Sequence, residues 1–260
     1  MVRNITMKIL ALGDVVGNEA LDYLKSKLRA FKRENGIDLT VVNGENSARA
    51  NGIDSHSAQS ILEAGADVIT TGNHVYRINA FYDYLDESDS VIRPANYPAA
   101  CPGKGYTFVD LGYTRVLVIN VLGRTSLEAL NSPFDAVDAI LEREKGEYGL
   151  SVLDVHAEAT SEKAAIARYF DGRINVIFGT HTHVQTNDAR ILPNGSGFIT
   201  DLGMCGPQDS ILGVECGIII DKFRYQMPKK FEFARGNISA QGAIFTLEAG
   251  KVTDVCAVKF

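Results

Sequence analysis

The stretch Val176-Ile177-Phe178-Gly179-Thr180-His181-Thr182-His183 joins an apolar, strand-like run to two histidines that are separated by one residue. If strand geometry persists to its end, His181 and His183 point to the same side, because side chains alternate along a strand with a period of two. Two imidazoles that converge at the end of a buried strand suit a transition metal. A pair of surface histidines on a turn fits an isolated HxH motif equally well, so the rest of the chain must decide.

The composition is that of an ordinary globular protein with a mild acidic excess. The chain has 260 residues, of which 45% are apolar and 22% charged, and its formal net charge is −6. This length can bury a large core, and without a repeat, linker or low-complexity segment we predict a single domain over residues 1–260. The acidic balance disfavours a large nucleic-acid surface. A small phosphate ester could still be attracted by bound metal cations.

Cysteine use and hydropathy predict the compartment. The four cysteines show no CxxC spacing, and we interpret them as reduced thiols: Cys101, Cys205, Cys216 and Cys256. No apolar run approaches the length of a membrane span, and no signal peptide is visible. We therefore expect a soluble, cytoplasmic protein without a membrane partner. The sequence leaves open whether it forms a homo-oligomer.

Strands and helices alternate at the start of the chain. Strands are predicted over residues 7–14, 39–43 and 67–71, with helices over 17–35 and 54–64 between them. This βαβαβ order predicts an α/β protein with a parallel sheet, whose ligands lie beyond the carboxyl ends of the strands.

The remaining elements continue this pattern less regularly. Further strands are predicted over residues 106–110, 115–121, 150–156 and 174–178. Further helices are predicted over 79–85, 135–145, 161–170 (capped by Ser161, with Glu162 and Lys163 in its first turn) and 215–224, and the tail from residue 195 is mostly strand-like.

Polar residues follow five of the predicted strands. They are Asp14, Glu45, Asn46, Asn73, His74, His156, His181 and His183. Any one of them alone has an ordinary explanation, such as a turn residue or a hydrogen-bonded core histidine. Together they would all need partners, and a shared centre of two hard or borderline metals, such as iron, manganese or zinc, supplies those partners at once.

These motifs resemble the calcineurin-like metallophosphoesterases. The pattern of that family runs GDxH, an acidic residue in a GD motif, GNH, a lone histidine and GHxH. This chain has, in the same order, Gly13-Asp14, Gly44-Glu45-Asn46, Gly72-Asn73-His74, His156 and Gly179-Thr180-His181-Thr182-His183. The phrases GDVVG, NGEN, TTGNH, RPAN, HAEATSEK, GTHTHVQT and TDLGMCGP resemble, more narrowly, the YmdB subgroup of bacterial phosphodiesterases over essentially the whole chain.

The chain departs from the broad family pattern at three positions. Val16 stands where the first motif has histidine, Glu45 replaces the bridging aspartate, and Val75 follows GNH where an acid is usual. In the YmdB-like subgroup the Glu-Asn pair completes the first metal site, so the resemblance implies that Asn46 replaces the missing ligand. An amide oxygen in place of an imidazole makes that site harder.

The resemblance implies a fold, a reaction and a ligand set. The fold is a four-layer α/β/β/α sandwich, and the reaction is hydrolysis of cyclic nucleotides, 2′,3′-cyclic ones in particular, with 3′,5′-cyclic AMP as a further candidate. Two divalent or trivalent ions are implied, iron above all, with manganese or zinc as alternatives. One metal would be held by Asp14, Asn46, His183 and the bridging Glu45, and the other by Glu45, Asn73, His156 and His181.

Other residues receive more limited assignments. The resemblance makes His74 the general acid that protonates the leaving alkoxide. Asp154 alternates onto the same side of its strand as His156, so it either orients a ligand or simply ends the core. Arg93 and Arg124 follow strand-like runs and could contact phosphate, but neither is assigned.

Two other functions stay open. An amidohydrolase-type metal hydrolase also uses HxH, although there the pair usually lies on the first strand of a barrel, whereas here it follows at least five strands. A regulatory protein could instead use the centre to bind a nucleotide or a partner without turnover.

Overall fold

The first of two β-sheets grows from the predicted βαβαβ unit. A computed structural model describes residues 6–48 and 51–260 of the chain. The spatial order of this sheet is β2 (Asp14–Val15), β11 (Met204–Pro207), β12 (Ile238–Glu248), β1 (Thr6–Leu12), β3 (Leu39–Asn43) and β4 (Val68–Thr70), with β13 (Lys251–Lys259) paired to β12. Strands β1, β3 and β4 run parallel, as predicted, whereas β12 is antiparallel to β1.

The second sheet contains the strands that lead to the two later histidine motifs. Its order is β5 (Tyr106–Asp110), β6 (Arg115–Leu122), β7 (Leu150–His156), β8 (Val176–Thr180), β10 (Gly197–Ile199) and β9 (Arg190–Ile191). The four central strands are parallel, and the two edge strands are antiparallel to their neighbours. The carboxyl ends of β7 and β8 therefore meet at one edge of this sheet.

Five of the six helices in the described part of the chain cover the outer faces of the sheets. The six helices are α1 (Gly17–Asn35), α2 (Ser55–Ala64), α3 (Tyr82–Glu87, after a 3₁₀ turn), α4 (Pro133–Arg143), α5 (Thr160–Phe170) and α6 (Cys216–Tyr225). Buried residues of α1, α2 and α3 share a core with the first sheet, those of α4 and α5 share one with the second, and α6 lies apart from both of these cores. None of the helices within residues 6–48 and 51–260 is long and apolar enough to cross a membrane.

A third core lies between the two sheets and aligns them. Ile9 and Phe245 of the first sheet pack in it with Val118 and Phe178 of the second. The layers are thus helix, sheet, sheet and helix, and the predicted α/β/β/α fold class is confirmed. Asn43, at the end of β3, donates a hydrogen bond of 3.1 Å to Asp154 of β7, so the carboxyl ends of both sheets meet.

The condition that strand geometry persists through the HxH motif is not met. Strand β8 ends at Thr180, and His181 and His183 have φ of 98° and 61°. These values lie in the left-handed region, which is uncommon for residues other than glycine. The motif is therefore a tight loop, and tertiary contacts described below hold it.

The predicted cap of α5 is wrong. The helix begins at Thr160, and Ala159 occupies the N-cap without a side-chain hydrogen bond, so Ser161 lies inside the first turn. Glu162 instead accepts hydrogen bonds from the backbone N–H groups of Arg124 and Thr125, at 2.9 and 3.1 Å. Its carboxylate fixes the loop that follows β6.

Candidate metal centre

Three of the predicted ligands form one group beside β2. Asp14 is fully buried, and its Oδ1 lies 3.4 Å from Asn46 Nδ2 and 3.6 Å from His183 Nε2. The same amide nitrogen lies 3.2 Å from His183 Nε2. Residues 32 and 169 positions beyond Asp14 thus meet it because β2, the loop after β3 and the HxH loop share one edge of the fold.

Four other predicted ligands form a second group around His156. Its Nε2 lies 3.1 Å from Glu45 Oε1, 3.2 Å from Asn73 Oδ1 and 3.1 Å from His181 Nδ1. Potential ligand atoms of Glu45, His156 and His181 all lie within 4.8 Å of one another. Oxygen and imidazole nitrogen donors at this spacing suit a borderline metal.

Hydrogen bonds on the far side of each imidazole leave one ring nitrogen of each histidine facing the centre. Thr180 donates its only hydroxyl proton to Asp154 (2.7 Å), so it must accept from His156 Nδ1 (2.9 Å), and Nε2 is the nitrogen that faces the centre. His181 Nε2 contacts Glu158 at 3.0 Å, and His183 Nδ1 donates to the carbonyl of Leu212 at 2.9 Å. Such outer contacts fix the tautomer of metal-binding histidines.

Glu45 carries the clearest sign that a cation fits here. Its side chain is fully buried, and Oε2 accepts a hydrogen bond of 3.0 Å from the backbone N–H of His74. Oε1 lies 3.1 Å from both His74 Nδ1 and His156 Nε2, yet neither contact is aligned as a hydrogen bond. A buried carboxylate oxygen without an aligned donor is costly. The donor set around it therefore fits a metal ion.

Neighbouring carboxylates and histidines in the centre shift each other's pKa values. Burial alone would raise the pKa of Asp14, but the charge and hydrogen bond of His183 lower it to about 2. Burial likewise opposes ionisation of Glu45, but His156 holds its pKa well below the usual range. Burial disfavours charge on His156 too, yet Glu45 raises its pKa to about 9. The imidazole of His156 is therefore protonated at neutral pH, and a metal that binds to Nε2 must displace the proton on that nitrogen.

The pKa of His181 is shifted in the opposite direction to that of His156. Burial and the neighbouring positive charge of His156 lower its pKa to about 4. This imidazole is neutral at pH 7, and a neutral imidazole is the form that binds metal.

Asp154 reaches His156 through Thr180. The carboxylate is fully buried and accepts hydrogen bonds from Thr70 Oγ1 at 2.5 Å and Asn43 Nδ2 at 3.1 Å as well as from Thr180. Burial raises its pKa to about 6. These contacts support the hypothesis that Asp154 orients a ligand. The Asp154 carboxylate accepts from the Thr180 hydroxyl, and that hydroxyl accepts from the imidazole of His156.

A buried ion pair that the sequence did not reveal holds the HxH loop. Lys163 is fully buried, and its Nζ donates to Asp201 Oδ2 at 2.6 Å. The same oxygen accepts from the backbone N–H (3.2 Å) and hydroxyl (2.7 Å) of Thr182, between the two histidines. Asp14 Oδ2 accepts from the N–H of His181 at 3.0 Å. Two carboxylates therefore stabilise the left-handed conformation of this loop.

We expect Lys163→Met to lower the free energy of unfolding by about 3–5 kcal/mol, because it leaves the Asp201 carboxylate buried without its cation. Urea unfolding of the purified variant measures this change. Lys27→Met, at an exposed position of α1, is the matched control and should change stability by less than about 0.5 kcal/mol. A loss below about 1 kcal/mol in Lys163→Met would mean that the pair contributes little to the loop.

A cavity of about 340 Å³ adjoins the centre and is lined by Asn46, His74, His181 and His183. His74 contacts Asn46 Oδ1 through Nδ1 at 3.0 Å, and within the described residues its Nε2 has no hydrogen-bond partner. Arg93 and Arg124 line other cavities and are not among the residues that line this one. Glu158 was missed by the sequence reasoning because a half-exposed acid in a loop carries no signal of its own.

Comparisons with known proteins identify the family of the chain. A protein-family model described as "YmdB-like protein" matches residues 10–258. The chain is 40% identical over 242 residues to the 2′,3′-cyclic-nucleotide 2′-phosphodiesterase of Bacillus subtilis strain 168, and the match covers 93% of this chain and 92% of that protein.

Solved structures of two relatives share the whole fold. A hypothetical protein from Thermus thermophilus is 38% identical with a TM-score of 0.93, and the match covers 98% of this chain and 99% of that one. A protein from Mycoplasma pneumoniae described as a novel phosphatase is 31% identical with a TM-score of 0.92, covering 99% and 94% of the two chains. The chain belongs to the family of YmdB-like proteins.

Proposed function

We propose that this protein hydrolyses 2′,3′-cyclic nucleotides with two metal ions bound at the centre, and that 3′,5′-cyclic AMP is a second candidate substrate. At the coarser level the chain is a phosphoric diester hydrolase, as its relationship to the Bacillus subtilis phosphodiesterase indicates. The observation that carries the proposal is the buried Glu45 carboxylate, which has an oxygen without an aligned donor among residues 6–48 and 51–260, beside two groups of nitrogen and oxygen ligands.

The two groups of ligands support two metal positions. The first would use Asp14, Asn46, His183 and Glu45, and the second Glu45, Asn73, His156 and His181. Asn46 can bind a cation only through its amide oxygen, whereas its nitrogen now faces Asp14 and His183, so the amide would have to turn over. The mixture of carboxylate, amide and imidazole donors suits iron, manganese or zinc, and the family resemblance makes iron the favoured metal.

Bound metals would polarise the phosphoryl oxygens and lower the pKa of the attacking water. The contribution of the chain beyond its ligands centres on His74. Its backbone N–H donates to Glu45 and its Nδ1 contacts Asn46 Oδ1, while the ring lines the cavity, so Nε2 is the atom that would give a proton to the leaving oxygen. Asp154 and Thr180 would keep His156 in the tautomer that binds through Nε2.

The architecture favours this proposal over its two rivals. An amidohydrolase carries HxH on the first strand of a barrel, whereas here the motif follows β8 of one of two open sheets. A purely regulatory nucleotide-binding protein would not need His74 held against a metal ligand with its second nitrogen free. We also propose that residues 1–260 act as one domain, because the core between the sheets draws on both of them.

Metal analysis combined with a substrate screen tests the proposal. Protein purified without chelators should contain about two metal ions per chain and should hydrolyse 2′,3′-cyclic AMP and bis(4-nitrophenyl) phosphate but not a lactone or an amide. Chelation should abolish both activities, and metal return should restore them. Tight nucleotide binding without turnover in the metal-loaded protein would favour the regulatory alternative, and lactone turnover would favour the amidohydrolase chemistry.

A further inference from the structure

An apolar surface lies in the cavity beside the metal centre. We define the apolar wall as Leu212, Phe223 and Phe231, which line the same cavity as His74 and His183 and are exposed to solvent. Large apolar side chains that remain exposed beside a polar site commonly mark where a ligand binds. The cavity thus has a polar end and an apolar end.

Backbone contacts fix the apolar wall to the centre. The carbonyl of Leu212 accepts the hydrogen bond from His183, so the first member of the wall adjoins a predicted ligand directly. Backbone hydrogen bonds of 3.0 and 2.9 Å join Glu215 to Glu232 and Ala234 to Gly213. These contacts hold the segment that carries Phe231 beside the loop that carries Leu212. The wall therefore has a defined position relative to the metal ligands.

Phe223 is the member of the wall with an open aromatic ring. It follows the buried Ile219 by four residues in α6, so both side chains lie on the helix face that lines the cavity. Phe223 is 70% exposed. Phe231, in contrast, has the ammonium of Lys222 over its ring, 4.5 Å from the ring centroid. One aromatic face in the wall is thus covered by a cation, and the ring of Phe223 is the more exposed of the two.

We propose that the apolar wall binds the nucleobase of the substrate and that Phe223 stacks on it. This inference rests on the proposed function, since a nucleotide whose phosphorus lies at the histidines must place its remaining atoms elsewhere in the cavity. Every base has a π-face, so stacking on an aromatic ring is tolerant of base identity. Without polar base contacts from the wall, we expect acceptance of all four bases with a preference for the larger purines.

Steady-state kinetics with a matched pair of substrates tests the proposal. Phe223→Ala should raise KM for 2′,3′-cyclic AMP about 5- to 10-fold, the lower end of the effect of losing one stacked base. It should leave KM for the 2′,3′-cyclic phosphate of methyl riboside, which lacks a base, unchanged. Ile220→Ala is the control, because this exposed residue neighbours Ile219 in α6 but does not line the cavity. Phe223→Tyr should retain the KM of the natural chain.

A binding measurement gives a readout that is independent of turnover. The chain has no tryptophan, so Phe223→Trp introduces a single fluorophore at the wall. Its emission should be quenched by 3′-AMP, the product of opening the 2′ bond, but not by methyl riboside 3-phosphate. The sole tryptophan of Ile220→Trp should respond to neither compound.

The outcomes separate failure of this inference from failure of the proposed function. If the natural chain loaded with metal hydrolyses neither cyclic phosphate, the proposed function fails. If it hydrolyses both and Phe223→Ala changes neither KM, or changes both equally, only the base-binding role is overturned. A lower oligomeric mass of Phe223→Ala in sedimentation, with both KM values unchanged, would assign the wall to an interface between copies of this chain and would likewise overturn the proposal.

Discussion

Replacing His74 with alanine should lower kcat for 2′,3′-cyclic AMP by about 10²–10⁴-fold, the usual contribution of a general acid, while the metal content stays unchanged. The reason is the position of His74 between the metal centre and the cavity. His74 contacts Glu45 through its backbone N–H and Nδ1, yet its ring also lines the cavity, so it can act on a substrate without being a ligand itself. Elemental analysis and steady-state kinetics on the same preparation measure both quantities.

The dependence on the leaving group makes this prediction specific to proton donation. A nitrophenolate leaves without a proton, so the loss of kcat on bis(4-nitrophenyl) phosphate should be much smaller than the loss on a cyclic nucleotide, whose alkoxide must be protonated. His56→Ala is the control, since this exposed histidine of α2 lies away from the cavity. Equal losses on the two substrates, or loss of metal, would show that His74 supports the centre rather than donating the proton.

The strand ends could be predicted from the sequence because they depend on local patterns. An apolar run followed by a polar residue identifies a buried strand and its end, and parallel strands bring their carboxyl ends to one edge. Within each sheet this brings polar residues to one edge, and the core between the sheets brings Glu45 of the first sheet within 3.1 Å of His156 of the second. The order of the strands within a sheet was not needed for this step, since the βαβ order predicts that successive strands run parallel.

The conformation of the HxH loop could not be predicted, because distant residues impose it. The left-handed backbone at His181 and His183 is held by Asp14, 167 positions before the first histidine, and by Asp201, 18 positions after the second. Lys163 was similarly inaccessible to sequence reasoning. A lysine in the first turn of a helix is usually exposed, and only the folded chain reveals the acid that it meets.

The apolar wall was hidden from the sequence for a related reason. Its members lie on the loop before α6, on α6 itself and on the segment after it, and each looks like an ordinary surface residue in its own context. They become one surface only because backbone bonds join residues 213–215 to 232–234. Sequence periodicity cannot reveal a surface that is assembled from such pairings.

Gly72→Ala should lower metal affinity by at least about 10- to 100-fold, the range seen when a residue that supports a ligand is altered, and should abolish most turnover. A Cβ at this position would lie 2.2 Å from His156 Cδ2 and 2.3 Å from Glu45 Oε2. Both side chains are fully buried, so neither can swing into solvent to make room. The backbone at Gly72 does not have positive φ, so alanine is excluded by the two side chains and not by its own conformation.

The loss of bound metal from Gly72→Ala should differ between the two proposed metal positions. The clash involves Glu45 and His156, whereas the contacts among Asp14, Asn46 and His183 do not pass through Gly72. We therefore expect the metal content to fall first at the position that includes His156, which titration with a chromogenic chelator can resolve. Gly217→Ala, in α6, is the control, because its Cβ would meet no atom closer than 3.2 Å. Full metal content and activity in Gly72→Ala would contradict the assignment of His156 and Glu45 to the same metal, because the methyl group can fit only if one of these side chains moves away.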